Sequence, residues 1–260
     1  GCTEIAHWES IDRVLEVDQT PIGKTPRSTP ATYTGLWDDI RKLYADGEDA
    51  RRRGWTASRF SFNTGQGRCE VCEGQGWQTI EMSFLPNVRV VCDACGGSRF
   101  NAETRQARWR GHTISDVLAM SVDEAREAFD GVSKIRRPLQ LMQDLGLGYL
   151  SLGQPSPTLS GGESQRIKLV AELAKTRQTG HTLYVLDEPT VGLHLSDVER
   201  LIHALHQLVA LGHSVVVIEH QLDLWAQADW LIDLGPAGGE AGGQLVASGP
   251  PRRVAAMPTP

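Results

Sequence analysis

The stretch of sequence that decides the fold begins with Leu159-Ser160-Gly161-Gly162-Glu163 and continues to residue 220. Ser160 and Glu163 have the spacing of a capping box, so they predict the start of a helix. Apolar residues then recur at helical spacing, at Ile167, Val170, Leu173 and Ala174. The N–H groups of Gly161 and Gly162 at such a helix start can approach an anion closely, and the helix dipole attracts negative charge. The motif therefore predicts a phosphate-binding helix start.

A βαβ unit is predicted after this helix. Thr182-Leu183-Tyr184-Val185-Leu186-Asp187-Glu188 is an apolar run closed by two acids, which is typical of a parallel strand buried on both faces with carboxylates at its carboxyl end. A helix with one apolar face is expected from Ser196 to Gly212, before a second buried strand, Val215-Val216-Val217-Ile218, that ends in Glu219-His220. We therefore predict an α/β fold with a mostly parallel sheet and polar side chains at one edge.

Each of these motifs has an ordinary structural explanation, because acids often cap strands and Ser-Gly-Gly-Glu often simply caps a helix. Their order along the chain is more specific, and it resembles that of the ABC ATPases. Leu159-Ser160-Gly161-Gly162-Glu163 is similar to the ABC signature, Asp187-Glu188-Pro189-Thr190 to Walker B, and His220 to the switch histidine.

The resemblance implies a role for each residue at an ATP site. Asp187 would serve the water shell of Mg²⁺, Glu188 would orient or deprotonate the attacking water, and His220 would contact the γ-phosphate. Ser160 would donate a further hydrogen bond to phosphate. In this family the signature of one nucleotide-binding domain completes the ATP site of another. Ser160 and Gly162 are therefore expected to serve a different nucleotide from Asp187, Glu188 and His220.

The first part of the chain offers a Q-loop but no Walker A. Residues 12–18 alternate like a short strand that leads into Gln19, the candidate Q-loop glutamine; the alternative is an exposed turn residue. Gly23-Lys24-Thr25 has the end of the pattern G-x-x-x-x-G-K-[ST], but Asp18 occupies the first glycine position and Pro26 disfavours helical geometry at Thr25. Because no other segment fits, we do not expect this chain to hydrolyse ATP by itself.

Composition places few limits on function. The chain has 260 residues and a formal net charge of −6, so its overall charge does not indicate nucleic-acid binding. No run of 18 apolar residues occurs, and no leader opens the chain, so we expect a cytoplasmic protein without a membrane-spanning helix.

Four cysteines predict a zinc site. Cys69-x-x-Cys72 and Cys92-x-x-Cys95 have the spacing of a tetrahedral Zn²⁺ site with four thiolates, and glycines follow both pairs. Two disulfides or reduced buried thiols are the alternatives. Cys2 is outside the pattern. Four thiolates leave no open position for a substrate, so we expect a structural site that holds together an insertion without much of a core of its own.

The residues around the cysteines form a basic, aromatic segment. Between Arg51 and Arg110 the sequence has ten Arg and five Asp or Glu, interleaved with seven Phe and Trp. Arginine suits phosphates, and exposed aromatic rings suit unstacked bases, so we expect DNA contacts here. The alternative is a solvated arginine surface with the aromatic rings in a small core. The DNA-binding candidates are Arg51, Arg52, Arg53, Arg59 and Arg89.

An ABC signature downstream of a four-cysteine insertion resembles the UvrA family, the DNA-damage-recognition ATPases of bacterial nucleotide excision repair. The resemblance covers essentially the whole chain. It includes residues 18–23, 30–35 and 59–63, Phe84-Leu85-Pro86, and the strand pattern Asp229-Trp230-Leu231-Ile232-Asp233-Leu234-Gly235-Pro236. It implies the distal part of the second, C-terminal nucleotide-binding half, with ATP, Mg²⁺ and Zn²⁺ as cofactors. The implied partners are damaged double-stranded DNA, UvrB and a second copy of the protein.

The expected division has four segments. These are residues 1–50 with the Q-loop, the zinc insertion at 51–112, a helical signature subdomain at 113–180, and the ATPase core with Walker B and the switch histidine at 181–260. In the helical segment Ser121 and Glu124 predict a capped helix. Two other functions remain open: a zinc-dependent DNA-binding fragment without ATPase activity of its own, and a UvrA-like ABC protein of antibiotic self-resistance.

Overall fold

A computed structural model describes residues 6, 8–82, 84, 87–175, 180–235 and 242–257. Four residues named above, Cys2, Leu85, Pro86 and Pro236, lie outside these ranges. The chain divides into two compact units. The first unit consists of Gly1–Glu16 and Gly180–Pro260, and the second consists of Val17–Thr179. The division into four segments remains a prediction.

The strands are, in chain order, β1 (Arg13–Val17), β2 (Trp77–Ile80), β3 (Val88–Val91), β4 (Arg108–Trp109), β5 (His112–Thr113), β6 (Thr182–Asp187), β7 (Ser214–Ile218), β8 (Leu231–Gly235) and β9 (Gln244–Gly249). The α-helices are α1 (Pro30–Tyr33), α2 (Leu36–Ala45), α3 (Glu48–Arg52), α4 (Ile114–Ala119), α5 (Val122–Ala128), α6 (Ser133–Asp144), α7 (Gly161–Leu173), α8 (Leu195–Ala210), α9 (Leu222–Ala226) and α10 (Pro251–Val254).

The first unit contains the predicted βαβ unit. β6 and β7 are parallel, with Asp187 opposite Ile218, and α8 connects them. The sheet order is β1-β6-β7. One face of α8 is buried through Val198, Leu201, Leu205 and Leu208. The helix ends two residues before Gly212, which takes the positive φ of +88° that favours glycine. This arrangement confirms the prediction of an acid-tipped strand, a helix and a histidine-tipped strand.

The predicted burial of these strands was wrong in part. In β6 only alternate residues, Thr182, Tyr184 and Leu186, are fully buried. In β7, Val216 is 49% exposed and Ile218 is 54% exposed. β7 lies at the end of the sheet order, and Val216 and Ile218, two positions apart, share one face of the strand. An apolar run alone cannot distinguish a central strand from an edge strand.

A separate hairpin completes the first unit. β8 and β9 pair antiparallel, with a bulge between Asp233 and Leu234. The bounds of β8 confirm the strand that the sequence predicts after Asp229. Trp230 precedes it and donates a hydrogen bond from Nε1 to Ser248 Oγ at 2.9 Å.

Several helices of the second unit begin at capping boxes, and the sequence predicts those at Ser121 and Ser160. Thr113 with Asp116, Ser121 with Glu124, and Ser160 with Glu163 each form a reciprocal capping box at the start of α4, α5 and α7. The helix α6 packs between α5 and α7 and buries Ile135, Leu139 and Met142. These residues form the core of the helical segment.

An aromatic core lies under the cysteine segment. Phe60, Phe62 and Phe100 are fully buried, and α2 supplies Trp37 and Tyr44 to the same cluster. Ring centroids are 5.6 Å apart for Trp37 and Phe62, a distance at which aromatic pairs attract. The cysteine segment therefore shares its aromatic core with α2, a helix earlier in the chain. Phe60, Phe62 and Phe100 therefore belong to a core, as the alternative interpretation predicts, and are not available to stack on bases.

Among the described residues, no helix has the length and apolar character needed to cross a bilayer.

Candidate functional site

The carboxyl ends of β6 and β7 bring three predicted site residues together. Asp187 ends β6, Glu188 follows it, and His220 lies two residues beyond β7. Because the strands are parallel, these ends meet at one edge of the sheet. His220 Nε2 lies 3.1 Å from Glu188 Oε1. The histidine side chain is 81% exposed and the glutamate 45%, so a ligand can reach both.

The backbone at Glu188 takes an unusual conformation. Its φ is +42°, a left-handed value that costs energy for a residue with a Cβ. Its N–H donates to Ile218 O at 2.8 Å, so the neighbouring strand fixes the turn. Non-glycine residues in this region are enriched at active sites, where the surrounding structure maintains the strain. The turn places Glu188 at the strand end beside His220 without continuing the ladder.

Glu219 connects the end of β7 to the loop after Glu188. Its carboxylate accepts hydrogen bonds from Thr190 N at 2.8 Å, from Thr190 Oγ1, from His220 N at 2.6 Å and from Gln221 N at 3.2 Å. Partial burial by itself would raise the pKa of Glu219, but these hydrogen bonds to the charged form lower it below its usual value. Glu219 is therefore held as a carboxylate.

The signature motif forms a capped helix start. Ser160 N donates to Glu163 Oε2 at 2.7 Å, and Glu163 N donates to Ser160 Oγ at 3.2 Å. Tyr149 adds a hydrogen bond to Glu163 Oε1 at 2.6 Å. Ser160 is exposed, and its Oγ acts as acceptor in the cap, so its own hydroxyl hydrogen is not used there. The helix start thus has a hydroxyl donor and the N–H groups of Gly161 and Gly162 for an anion.

Gln19 lies against this helix start. A Cβ added to Gly161 would lie 2.9 Å from Gln19 Oε1 and 3.0 Å from Gln19 Cβ, so only glycine fits there without a shift. Further along α7, Gln165 Nε2 donates to Val17 O at 2.7 Å, and Lys168 pairs with the carboxylate of Asp18. The signature helix therefore holds the segment that carries the candidate Q-loop glutamine.

The segment of Gly23, Lys24 and Thr25 is not a phosphate loop. The chain turns at Pro26, where Ser28 N donates to Thr25 O at 3.1 Å, and the next helix begins only at Pro30. This agrees with the expectation that Pro26 prevents a helix from starting at Thr25. Within the second unit, Ser28 and Ser156 instead tie this segment down, since Ser156 Oγ donates to Gly23 O at 2.7 Å.

The four cysteines of the two pairs form one buried cluster. The sulfur atoms of Cys69, Cys72, Cys92 and Cys95 all lie within 4.8 Å of one another. Cys69 Sγ is 3.9 Å from Cys92 Sγ, and Cys72 Sγ is 3.7 Å from Cys95 Sγ. Zn–S bonds of about 2.3 Å in a tetrahedron require sulfur separations of about 3.8 Å, so the cluster fits Zn²⁺. The four thiols are not joined in disulfides, which excludes that alternative.

Glycines shape the turns that follow the cysteines. Gly74, Gly76, Gly96 and Gly97 all have φ between +58° and +85°. Gly76 N donates to Cys72 Sγ at 3.3 Å, the backbone contact that stabilises a thiolate. A Cβ on Gly74 would overlap the carbonyl oxygen of Phe62, whereas one on Gly96 would meet no atom within 4 Å.

The substitutions Gly74→Ala and Gly96→Ala separate the cost of backbone conformation from the cost of crowding. We expect Gly96→Ala to lower the free energy of unfolding by about 1 kcal/mol, for the positive φ alone. We expect Gly74→Ala to lower it by about 3 kcal/mol, because the carbonyl of Phe62 must also move. Urea unfolding of the zinc-loaded protein measures both. Equal losses would contradict the close packing of the cysteine turn on Phe62.

A buried arginine connects the zinc cluster to two loops of the second unit. Arg99 is 6% exposed, and its Nη2 donates to Gly153 O at 2.9 Å and its Nη1 to Pro26 O at 3.3 Å. The guanidinium lies 5.0 Å from the Phe62 ring centre. Burial lowers the pKa of Arg99 to about 10, and the nearby cysteines oppose that shift.

The DNA-binding candidates differ in accessibility. Arg51 lies 3.8 Å from Asp46, and Arg52 pairs with Glu48, but both arginines are about 70% exposed and such surface pairs are weak. Arg53 and Arg59 share Glu103 and stack on Trp55. The side chain of Arg59 is only 12% exposed, which makes it the weakest candidate. Arg89 lies on the exposed strand β3, 5.8 Å from the Trp77 ring centre.

Three residues with several polar contacts received no role from the sequence: Arg99, Lys168 and Glu219. Glu219 could have been noticed because it directly precedes His220 at a strand end. Lys168 and Arg99 make contacts with residues far away in sequence, and their positions carry no local pattern that would have indicated them.

The chain is similar along nearly its whole length to proteins of one family. UvrABC system protein A of Thermus thermophilus is 57% identical over 252 residues, which are 97% of this chain and 26% of that protein. UvrABC system protein A of Pseudomonas aeruginosa is 53% identical over 261 residues, 98% of this chain and 28% of that protein. The chain thus spans about a quarter of the length of these curated relatives.

A solved structure has the same fold. The crystal structure of UvrA2 from Deinococcus radiodurans matches with a TM-score of 0.88 and 51% identity, over 97% of this chain and 31% of that one. No model of a protein family matches the chain. These similarities cover 97% of the chain, which carries the sheet edge at Asp187, the helix α7 and the inserted four-cysteine cluster. The chain therefore belongs to the UvrA family and has an ABC-type ATPase fold with an inserted cysteine cluster that can hold zinc.

Proposed function

We propose that this chain is the distal part of the C-terminal nucleotide-binding module of a longer ATPase that recognises DNA damage in nucleotide excision repair. The observation that carries the proposal is the contact of Glu188 with His220 at the ends of two parallel strands. It occurs in a chain that is more than half identical to UvrABC system proteins A. A general base beside a residue that can contact the γ-phosphate is an arrangement that supports ATP hydrolysis.

Asp187, Glu188 and His220, at the edge of the sheet, would each have a separate role in ATP hydrolysis. Asp187, at the end of β6, would hold the water shell of Mg²⁺, which neutralises phosphate charge when bound. Glu188 would accept the proton of the attacking water. His220, within hydrogen-bond distance of Glu188, would orient that carboxylate and donate to the γ-phosphate.

The residues of the second unit would act on ATP in a different way. Ser160 and the N–H groups of Gly161 and Gly162 offer donors to the terminal phosphate of a nucleotide bound by another module. Gln19, which lies against Gly161, would sense Mg²⁺ and the γ-phosphate. Because one module completes the site of another, the proposal includes a homodimer of the full-length protein.

The zinc cluster and its surroundings would provide DNA contact. Zn²⁺ bound by four buried thiolates would be structural, since no coordination position is left for a substrate. Exposed arginines nearby form only weak ion pairs with surface carboxylates, so they can release these partners and bind DNA phosphates instead. The proposal further includes damaged duplex DNA as ligand, UvrB as the protein that receives the lesion, and the cytoplasm as location.

Neutralising the arginine cluster is expected to weaken DNA binding independently of sequence. In the full-length protein, Arg51, Arg52 and Arg53 all changed to Ala should weaken DNA affinity, because phosphate contacts dominate non-specific binding. The slope of log affinity against log salt should become shallower by about 0.9 for each phosphate contact that is lost. Fluorescence anisotropy with a labelled duplex over a range of salt concentrations measures both quantities.

The matched control removes the same charge elsewhere. Arg200, Arg252 and Arg253 are exposed arginines of α8 and α10, and their joint replacement by Ala should leave the salt slope unchanged. An unaltered slope in the Arg51, Arg52 and Arg53 variant would remove this cluster from the DNA interface.

A second candidate function follows from the absence of G-x-x-x-x-G-K-[ST] in the sequence. A zinc-dependent DNA-binding protein without ATP turnover would give the same arginine result. The two functions differ when the anisotropy experiment is repeated with MgATP. A coupled ATPase changes its DNA affinity with the nucleotide, whereas a binding module does not.

A further inference from the structure

Glu219 lies between two segments that the proposed site needs in fixed positions. One segment is the loop after Glu188, which donates to the carboxylate of Glu219 through Thr190 N at 2.8 Å and through Thr190 Oγ1. The other is the chain leaving β7, which donates through His220 N at 2.6 Å and Gln221 N at 3.2 Å. One side chain therefore receives four hydrogen bonds from the two loops that carry Glu188 and His220.

Both ends of this connection are anchored. Trp225 of α9 donates from Nε1 to Glu219 O at 2.9 Å, which fixes the backbone of Glu219. On the other side, Leu193 N donates to Thr190 O at 3.0 Å, and Val191 N donates to Glu188 O at 3.2 Å. The carboxylate thus joins an ordered turn after β6 to an ordered turn after β7.

We infer that Glu219 is a positioning residue for ATP hydrolysis, which holds His220 and Glu188 at hydrogen-bond distance by tying the histidine backbone to Thr190. The inference rests on the proposed function of Glu188 and His220. It adds a residue that touches neither nucleotide nor attacking water and acts through the loop geometry. His220 Nε2 and Glu188 Oε1 are 3.1 Å apart, and both belong to the loops that donate to the carboxylate of Glu219.

The chemistry favours a carboxylate at this position. An ionised carboxylate only accepts hydrogen bonds and has about four lone-pair sites, which matches the four donors. A glutamine would keep one acceptor oxygen but would direct an NH₂ group at one of the N–H or O–H donors. An alanine would leave the backbone donors of Thr190, His220 and Gln221 to water.

The test uses the full-length protein and three variants. We expect Glu219→Ala to lower kcat for ATP hydrolysis about 10- to 100-fold, the range in which small misplacements of reacting groups act. Glu219→Gln should also lower kcat, but by less than Glu219→Ala does. ATP affinity should stay within about twofold, because no contact of Glu219 reaches the nucleotide in the proposed arrangement. The control is Glu199→Gln on the exposed surface of α8. It makes the same change from carboxylate to amide as Glu219→Gln and should leave kcat unchanged.

Two further measurements separate positioning from general destabilisation. His220→Ala should add little to the loss of kcat in the Glu219→Ala background, because both changes remove the same geometry. Hydrogen exchange at the amides of Thr190, His220 and Gln221 should accelerate in Glu219→Ala and not in Glu199→Gln. Additive losses, or unchanged kcat in a protein with accelerated exchange, would overturn the inference.

The outcomes distinguish this inference from the proposed function. If Glu188→Gln and His220→Ala leave ATP turnover intact, the proposed function fails, whatever Glu219 does. If those variants lose turnover while Glu219→Ala retains it, the proposed function stands and only the positioning role is wrong.

Discussion

Glu188→Gln in the full-length protein is expected to lower kcat for ATP hydrolysis by about 10³-fold, within the range for loss of a general base. The amide cannot accept the proton of the attacking water, although it has nearly the shape of the carboxylate. Because Asp187 and the rest of the sheet edge are unchanged, ATP affinity should stay within a few fold. Single-turnover hydrolysis and equilibrium binding of a labelled nucleotide measure the two effects.

The matched control for this change is Glu16→Gln, an exposed residue of β1. It alters the charge of the first unit equally and should leave kcat unchanged. Turnover that survives Glu188→Gln would remove Glu188 from the reaction, and a loss of nucleotide binding would show that the carboxylate serves the cofactor site instead.

Removal of the zinc site is expected to have the largest effect on stability. Cys92→Ser or Cys72→Ser should abolish stoichiometric zinc and unfold the cysteine segment, because structural zinc contributes on the order of 10 kcal/mol to folding in small domains. The serine hydroxyl does not ionise at neutral pH, and three thiolates would remain close together without full compensation. Zinc content by mass spectrometry, together with proteolysis of the segment around β2 and β3, measures the result.

The aromatic core sets how far this unfolding spreads. Phe60, Phe62 and Phe100 pack with Trp37 and Tyr44 of α2, a helix that lies outside the cysteine turns. We therefore expect α2 and this core to resist proteolysis when the cysteine turns do not. Cys2→Ser is the control, since Cys2 belongs to neither Cys-x-x-Cys pair. A Cys92→Ser variant that keeps zinc and protease resistance would contradict the metal assignment.

The sequence was sufficient for the elements that have local signatures. The capping boxes at Ser121 and Ser160 depend on residues three positions apart, and the structure forms both. The order of an acid-tipped strand, an amphipathic helix and a histidine-tipped strand determined the parallel edge at which Glu188 meets His220. The two Cys-x-x-Cys pairs similarly predicted a cluster whose sulfur separations fit a tetrahedron.

The parts that the sequence did not predict depend on contacts between distant residues. The edge position of β7 depends on which strands lie beside it, and hydrophobicity alone does not contain that information. Phe60, Phe62 and Phe100, three of the seven rings counted around the cysteines, are buried in a core to which α2 supplies Trp37 and Tyr44. The role of Glu219 depends on its hydrogen bond with Thr190, which lies 29 residues earlier in the chain.

The most direct test of the account is ATP hydrolysis by the full-length, zinc-loaded protein without DNA, with an intact duplex, and with the same duplex carrying one lesion. A damage-recognition ATPase should change its rate on adding duplex DNA and should respond more strongly to the lesion. In the Glu188→Gln protein, kcat should be about 10³-fold lower in all three conditions. ATP hydrolysis at one unchanging rate in all three would contradict the coupling of this site to damaged DNA.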